Sequence, residues 1–413
     1  MSELMNIPNL RFPDFSDDWQ VSKLGDVTSK IGSGSTPRGG EEVYTSDGIL
    51  FIRSQNVKRN ILDLTDSTFI PEEVHFQMSG SEVKSNDVLL NITGASIGRS
   101  CVVPSSVITG NVNQHVCIVR TGRHLEPNFL QPFLASRRGQ KLIYQGQTGS
   151  GREGLNFQSI RSFKLSLPTK PEQQKIAAFL AAVDSKIEQL SKKQALLGEY
   201  KKGLMQQIFS QAIRFKADDG SEFPDWEDNT IDKALHSYKL GGNYSNSEAV
   251  TDYPLIKMGN LDRGNIKLNK LQYINTEENI DDSDKINYGD LFFNTRNTLD
   301  LVGKVAIWRD ELPCAYYNSN LMKMEFSDNF FMNYRFNSFD GIKALRRVAT
   351  GTTSVAAIYT KDLLKIKFSL PTLSEQQKIA NFLSSIDTKI EQAGKQLDES
   401  KQFKKALLQQ MFV

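Results

Sequence analysis

A chain of 413 residues with 39% apolar, 24% charged and 9% aromatic residues is long enough for two to four domains. It can fill a core in each, which excludes a disordered or fibrous protein. No run approaches the ~18 apolar residues that cross a bilayer. Met1-Ser-Glu-Leu-Met-Asn lacks the basic and apolar regions of a signal peptide, so a cytoplasmic protein with no membrane partner is expected. Three cysteines (Cys101, Cys117, Cys314) point to a reducing compartment rather than a disulfide framework, and devalue the sequons at Asn91 and Asn243. The net charge of +2 carries no bulk sign of nucleic-acid binding, so any basic surface must arise by local clustering or from partners.

In chain order, residues 1–166 alternate short β-rich runs (Leu50–Arg53, Val88–Ile92, Cys101–Val103, Val116–Val119) with Gly, Ser, Asn and Pro clusters. A helical pattern follows near Asn128–Tyr144, giving a mixed α+β domain. Gly32-Ser-Gly-Ser-Thr-Pro37 is glycine-rich, but Pro37 argues for a surface loop over a phosphate cradle that opens a helix. Cys101, His115, Cys117 and His124 form the one Cys/His cluster; their spacing fits no common zinc module, and ordinary packing without a metal is expected.

Residues 167–210 predict a long helix. Pro171 suits its first turn, and Ile176, Leu180, Val183, Ile187, Leu190, Leu197, Leu204 and Ile208 recur in steps of four and three along one seam. Residues 211–369 resemble the first domain in pattern, with a helical run near Asn329–Val348. Residues 370–413 predict a second long helix, with Ser374 as N-cap and Ile379, Leu383, Ile386, Ile390, Ala393, Leu397, Leu407 and Met411 as its seam. Gln194 and Lys201 interrupt the first seam, Ser400 and Lys404 the second, which suggests a register device or exposure to a further partner. Each helix, at ~38 residues, would be roughly 57 Å long. Burial of its stripe, by pairing of the two helices, would supply most of its stability.

An internal repeat ties these pieces together. LPTKPEQQKIAAFLAAVDSKIEQLSKKQALLGEYKKGLMQQIF at 167–209 and LPTLSEQQKIANFLSSIDTKIEQAGKQLDESKQFKKALLQQMF at 370–412 share 23 of 43 positions at a constant offset of 203. Weaker echoes link the domains: Trp19 with Trp226, Ile49–Val57 with Tyr253–Leu261, Asp87–Asn91 with Asp290–Asn294, and Gly98-Arg99 with Gly303-Lys304. Asp87 and Asp290 read as turn residues opening matching strands. Asn91 and Asn294 occupy matching places, as binding residues or as buried structural hydrogen-bonders.

These residues resemble the specificity subunits of Type I restriction-modification systems over nearly the whole chain. The resemblance rests on Leu167–Ile176 and Leu370–Ile379, each Leu-Pro followed three residues later by Glu-Gln-Gln-Lys-Ile. Gly34-Ser-Thr-Pro37, Gly289-Asp-Leu291, Thr148-Gly149 and Thr350-Gly351 reinforce it. It implies an α+β fold: two mixed α/β target-recognition domains (1–166 and 211–369) separated by two long α-helices (167–210 and 370–413) in an antiparallel coiled coil, a pseudo-twofold repeat. It further implies that each domain reads one half of a bipartite double-stranded DNA target. Two modification subunits would bring S-adenosylmethionine for adenine methylation, and restriction subunits would bring ATP-driven translocation and cleavage with Mg. This chain itself would carry no cofactor.

The residues agree that chemistry lies elsewhere. The chain has no Pro-Pro, hence no (Asn/Asp)-Pro-Pro-(Tyr/Phe) methyltransferase site, and no phosphate loop; four histidines leave little for acid–base catalysis. Readers held on a rod engage two half-sites only at a set separation, expected at ~10 base pairs centre to centre. Base and phosphate contacts need polar or cationic side chains on elements that reach DNA. The loop candidates are Arg38, Arg53, Ser54, Gln55, Lys58, Arg59, Ser96, Arg99, Thr148, Ser150 and Arg152 in the first domain. In the second they are Lys257, Asn260, Arg263, Arg296, Asn297, Lys304, Thr350, Thr352 and Thr353. The alternative is a coiled-coil scaffold whose duplicated domains bind proteins; it would select no bipartite site.

Overall fold

The computed structural model describes residues 7–148 and 154–412. Its chain forms two compact units, Met1–Lys192 with Gly394–Val413, and Lys193–Ala393. Each combines one globular domain with segments of both long helices, Lys170–Phe209 and Leu373–Gln410.

In the first unit an antiparallel sheet runs in the order Thr28–Ser33, Val116–Thr121, Val88–Asn91, Ser100–Val102. A smaller sheet is ordered Phe69–Ile70, Ile49–Ile52, Gly110–Val112, Glu82–Val83, with one parallel pair in its middle. Successive side chains of a strand point to opposite faces, and here both faces are buried. Val88, Leu90, Cys117 and Val119 join Phe129, Leu130 and Phe133, whereas Leu89, Val116 and Ile118 join Ile52 and Val112. Burial on both sides explains why Val88-Leu-Leu90 reads as a continuous apolar run instead of an alternating one.

The second unit repeats this plan. Its main sheet is ordered Leu235–Leu240, Leu321–Phe326, Leu291–Asn294, Val305–Ile307. Leu291 and Phe293 face one core and Phe292 the other. In each unit a strand before the main sheet pairs with the last strand of the domain: Gln20–Lys23 with Lys164–Leu167, and Glu227–Thr230 with Lys367–Leu370. A domain therefore starts and finishes at one place, immediately before a long helix.

The helical run expected over Asn128–Tyr144 is two helices, Pro127–Ala135 and Arg137–Gln145, and that over Asn329–Val348 is Asn329–Asn337 and Phe339–Val348. Ser136 and Ser338 break the runs and cap the second helices, accepting from the Gly139 and Gly341 amides at 3.2 Å. The corners require glycine: a Cβ would stand 2.1 Å from the Phe133 carbonyl oxygen at Gly139, and 2.2 Å from that of Arg335 at Gly341.

The long helices pair antiparallel within each unit. Ile176 and Leu180 share the first core with Leu407, Met411 and Phe412; Ile208 and Phe209 share the second with Ile379, Leu383 and Ile386. Along the seam Leu190 and Leu397 are buried, and Val183, Ile187, Leu197, Leu204 and Ile390 are half-buried. The second helix begins at Leu373, two residues ahead of expectation. Ser374 lies inside it, and the Thr372 carbonyl accepts from the Gln376 amide at 2.9 Å. The lysines that interrupt the seam are paired: Lys201 lies 2.5 Å from Asp387, and Lys404 bridges to Asp184. Both pairs obey one antiparallel register, their residue numbers adding to 588.

The repeated Glu-Gln-Gln at each helix start has a structural cause. Glu172 and Glu375 are both 0% exposed. Glu172 accepts a two-pronged contact from Arg11 (2.7 and 2.8 Å) and the Trp19 indole N–H (3.3 Å). Glu375 accepts the same from Arg214 (3.2 and 2.8 Å) and Trp226 (3.1 Å). The adjoining edge-to-face pairs, Phe12 with Phe179 and Phe215 with Phe382, also repeat at the offset of 203. Even the backbone matches: the Leu10 amide donates to the Gln410 carbonyl at 3.0 Å, as the Ile213 amide donates to Gln207 at 3.2 Å. The segment before the first domain thus meets the end of the second long helix as residue 213 meets the end of the first.

Candidate nucleic-acid interface

The loops carrying the candidate readers are held by buried amides rather than by the candidates themselves. Asn56 Oδ1 accepts from the Arg53 amide at 2.9 Å, and its Nδ2 donates to the Asp63 and Asp66 carbonyls. Asn260 does the same for Lys257, Lys267 and Asn269. Asn260 was a candidate reader; it is buried with its donors and acceptor occupied, and organises the loop from within. Asn91 and Asn294 are also fully buried. The Asn91 Nδ2 donates to the Ser54 carbonyl (2.9 Å) and Ser96 Oγ (3.1 Å), while Asn294 Oδ1 accepts from the Arg296 amide (3.2 Å). These asparagines hold the loops at Ser54, Ser96 and Arg296 in place.

Arg38, Lys58, Arg59, Arg99 and Thr148 are exposed in the first unit, and Arg296, Thr350, Thr352 and Thr353 in the second. Gln55 donates to Asp66 at 2.6 Å and Arg53 stands 3.7 Å from the same carboxylate, so both are partly committed. Lys257 donates to Asn246 (3.0 Å) and Gln272 (2.7 Å), and Asn297 Oδ1 accepts from the Thr298 amide (2.9 Å). Lys304, expected in the reading surface, points back to the Leu261 carbonyl (3.1 Å) and Asp262 (3.7 Å), bracing one loop against another. Arg263 is half-buried with no carboxylate pair among the described residues; burial, reinforced by the neighbouring Arg346 charge, lowers its pKa. Ser150 and Arg152 lie outside the described residues.

The acids that open matching strands do more than turn the chain. Asp87 takes a fork from Arg120 (2.7 and 2.8 Å), and its Oδ2 accepts from the Lys84 amide. Asp290 stands 3.6 Å from Lys323, the residue 203 positions after Arg120, and burial raises its pKa. Cys101 and Cys117 are fully buried, and burial pushes both thiols up to about 12, the environment of inert core cysteines. The Gly32–Pro37 segment is no phosphate cradle: Gly32 and Ser33 finish the strand Thr28–Ser33, and a Cβ on Gly34 would stand 1.5 Å from the Val112 carbonyl oxygen, so the loop that follows lies tight against the smaller sheet.

Each unit therefore presents cations and hydroxyls on loops fixed by buried amides, and the arrangement is made twice. The family of Type I restriction modification DNA specificity domains matches this sequence twice, over residues 16–197 and 237–399. The chain belongs to that family. This specificity subunit is 24% identical to the MjaX specificity subunit of Methanocaldococcus jannaschii, over 98% of this chain and 95% of that one. It is also 24% identical to the MjaVIII specificity subunit of the same archaeon, over 97% and 92%. The Type I S subunit from M. genitalium has the same fold, with a TM-score of 0.60 at 13% identity, covering 98% of this specificity subunit and 99% of that chain. Two recognition domains and two long helices that pack together are thus the family architecture.

Loop position alone passes over the exposed cations of the helices Arg137–Gln145 and Phe339–Val348. Their spacing of three and four residues is the signal that marks a shared helical face.

Proposed function

We propose that this specificity subunit reads a two-part duplex DNA target, with residues 1–166 taking one half-site and 211–369 the other. The helices 167–210 and 370–413 set the gap and dock two modification subunits. Those partners bring S-adenosylmethionine and methylate adenine, and restriction subunits bring ATP and Mg for translocation and cleavage. The chain itself does no chemistry and works in the cytoplasm.

The observation that supports this reading is the duplication: one sheet order, one pair of loop-organising asparagines and one Arg–Glu–Trp cluster occur in each unit. Two similar but non-identical readers on one chain recognise two different short sequences. Once one reader has engaged, the other binds intramolecularly at raised effective concentration. Helices fix the separation because half-site spacing follows from how readers are held.

The test is replacement of residues 1–165 by the corresponding segment of another specificity subunit, followed by selection of bound duplexes with the modification subunit present. One half-site should change while the other half-site and the gap persist. Selection of no bipartite sequence by the parent complex would instead favour the scaffold reading.

A further inference from the structure

The helix Phe339–Val348 buries Gly341 and Leu345 and turns Phe339, Lys343, Arg346 and Arg347 outward. These fall at i, i+4, i+7 and i+8, one continuous face. Phe339 is 72% exposed, and the Lys343 ammonium lies 5.9 Å from its ring. Like charges three and four residues apart destabilise a helix, yet little here offsets them. Arg346 meets only the exposed Asp300, at 3.8 Å, and Lys343 and Arg347 have no carboxylate pair among the described residues.

Arg263 extends this face. The Gly264 amide donates to the Val305 carbonyl at 2.8 Å, and a Cβ on Gly303 would meet that of Leu345 at 3.4 Å. The loop of Arg263, the start of strand Val305–Ile307 and the helix therefore form one surface, on which Arg263 and Arg346 repel one another. Four gathered cations, one of them half-buried, outnumber the nearby carboxylates of Asp262 and Asp300, and such a surface is completed by an external polyanion.

The first unit repeats the feature independently. Its helix Arg137–Gln145, on the same serine cap and glycine corner, exposes Arg137, Lys141 and Tyr144, with no carboxylate pair for the cations among the described residues. Residues 141 and 343 both are lysines, while the rest of the two faces differ. A position-neutral charge retained through such divergence fits a partner that is the same at both domains.

We infer that Lys343, Arg346, Arg347 and Arg263 form a phosphate-contacting face for duplex DNA flanking the half-site read by the second domain, and that Arg137 and Lys141 do so in the first. This rests on the reading of the domains as DNA readers. Duplex DNA is the fitting occupant, carrying one negative charge per ~1.7 Å of axis. The face also adjoins the loop of Arg296 and Asn297 through Asp300. Such contacts fix position on the duplex and carry no sequence information.

The experiment compares the complex of the parent chain and modification subunit with one carrying Lys343→Ala, Arg346→Ala and Arg347→Ala. Affinity is measured between about 50 and 200 mM salt, where counterion release changes it by orders of magnitude, on target duplex and on a duplex with scrambled half-sites. Each lost phosphate contact lowers the slope of log affinity against log salt by about 0.9. We expect a decrease of about 2 to 3 on both duplexes, an unchanged half-site preference, and recovery by the charge-keeping variant Lys343→Arg, Arg346→Lys, Arg347→Lys. An unchanged slope overturns the inference. So does weaker assembly with the modification subunit at an unchanged slope, which would identify an acidic protein surface as the occupant. A parent complex that prefers no duplex at all overturns the reader assignment beneath it.

Discussion

Glu172 and Glu375 are carboxylates without access to water, and each is tolerated because a guanidinium fork and an indole N–H meet it from the segment before a domain. Removing one member of such a pair strands the other, at a cost of about 3 kcal/mol. Glu172→Ala should therefore loosen the first unit alone, and Glu375→Ala the second. Hydrogen exchange will show this as faster exchange at the start of one long helix and in the segment leading to its domain; equal loosening of both units would contradict it. The motif around these glutamates was legible in the sequence because it occurs twice. Its meaning was not, since the partners Arg11 and Arg214 lie 161 residues away and touch them only after folding. Asn260 shows the opposite limit. An asparagine in a loop pattern looks like a reader, and only its geometry reveals that its amide is used up inside.

At the scale of elements, the long helices were the most legible part of the fold. Their apolar period is sustained, and Leu190, Leu383 and Leu397 are buried as a seam requires. The lysines that break the period stood out too, but their acids could not be paired with them without knowing the register. Lys201 lies 2.5 Å from Asp387, whose Oδ2 also accepts from the Tyr334 hydroxyl at 2.6 Å. Asp387→Leu should destabilise the second unit by about 3 kcal/mol, and Lys201→Met added to it should recover part of that loss, because the stranded ammonium is removed while Tyr334 and Arg309 still lack their carboxylate. Denaturant melts of the single and double variants check this; additive losses would mean the pair is not coupled. The breaks at Ser136 and Ser338 were illegible because the apolar pattern continues across them. The serine caps divide the helices together with the close approach of Gly139 and Gly341 to the carbonyls six residues back, a corner that shows only once both helices are formed.

For the whole molecule, the proposed spacer makes a geometric demand. Seven residues inserted at matching places in both long helices preserve the seam's seven-residue repeat and lengthen each helix by about 10.5 Å at 1.5 Å per residue. That is about three base pairs on duplex DNA, at ~34 Å per helical turn of ~10 base pairs. The tolerated gap should grow by that amount with both half-sites unchanged, which selection from randomised duplexes will reveal; an altered half-site would show that helices and readers are not separable. The duplication made this organisation legible from the sequence. The bases read were not, because Arg99 and Arg296, proposed to meet them, are exposed, and nothing within the chain fixes what an exposed guanidinium contacts.

Sequencing of methylated bases in cells expressing this chain with its modification subunit tests the central claim most directly. We expect adenine methylation confined to one motif made of two short, different sequences at a single fixed gap, with both parts needed for modification. Methylation at a single uninterrupted sequence, or at two parts whose separation varies freely, would contradict it.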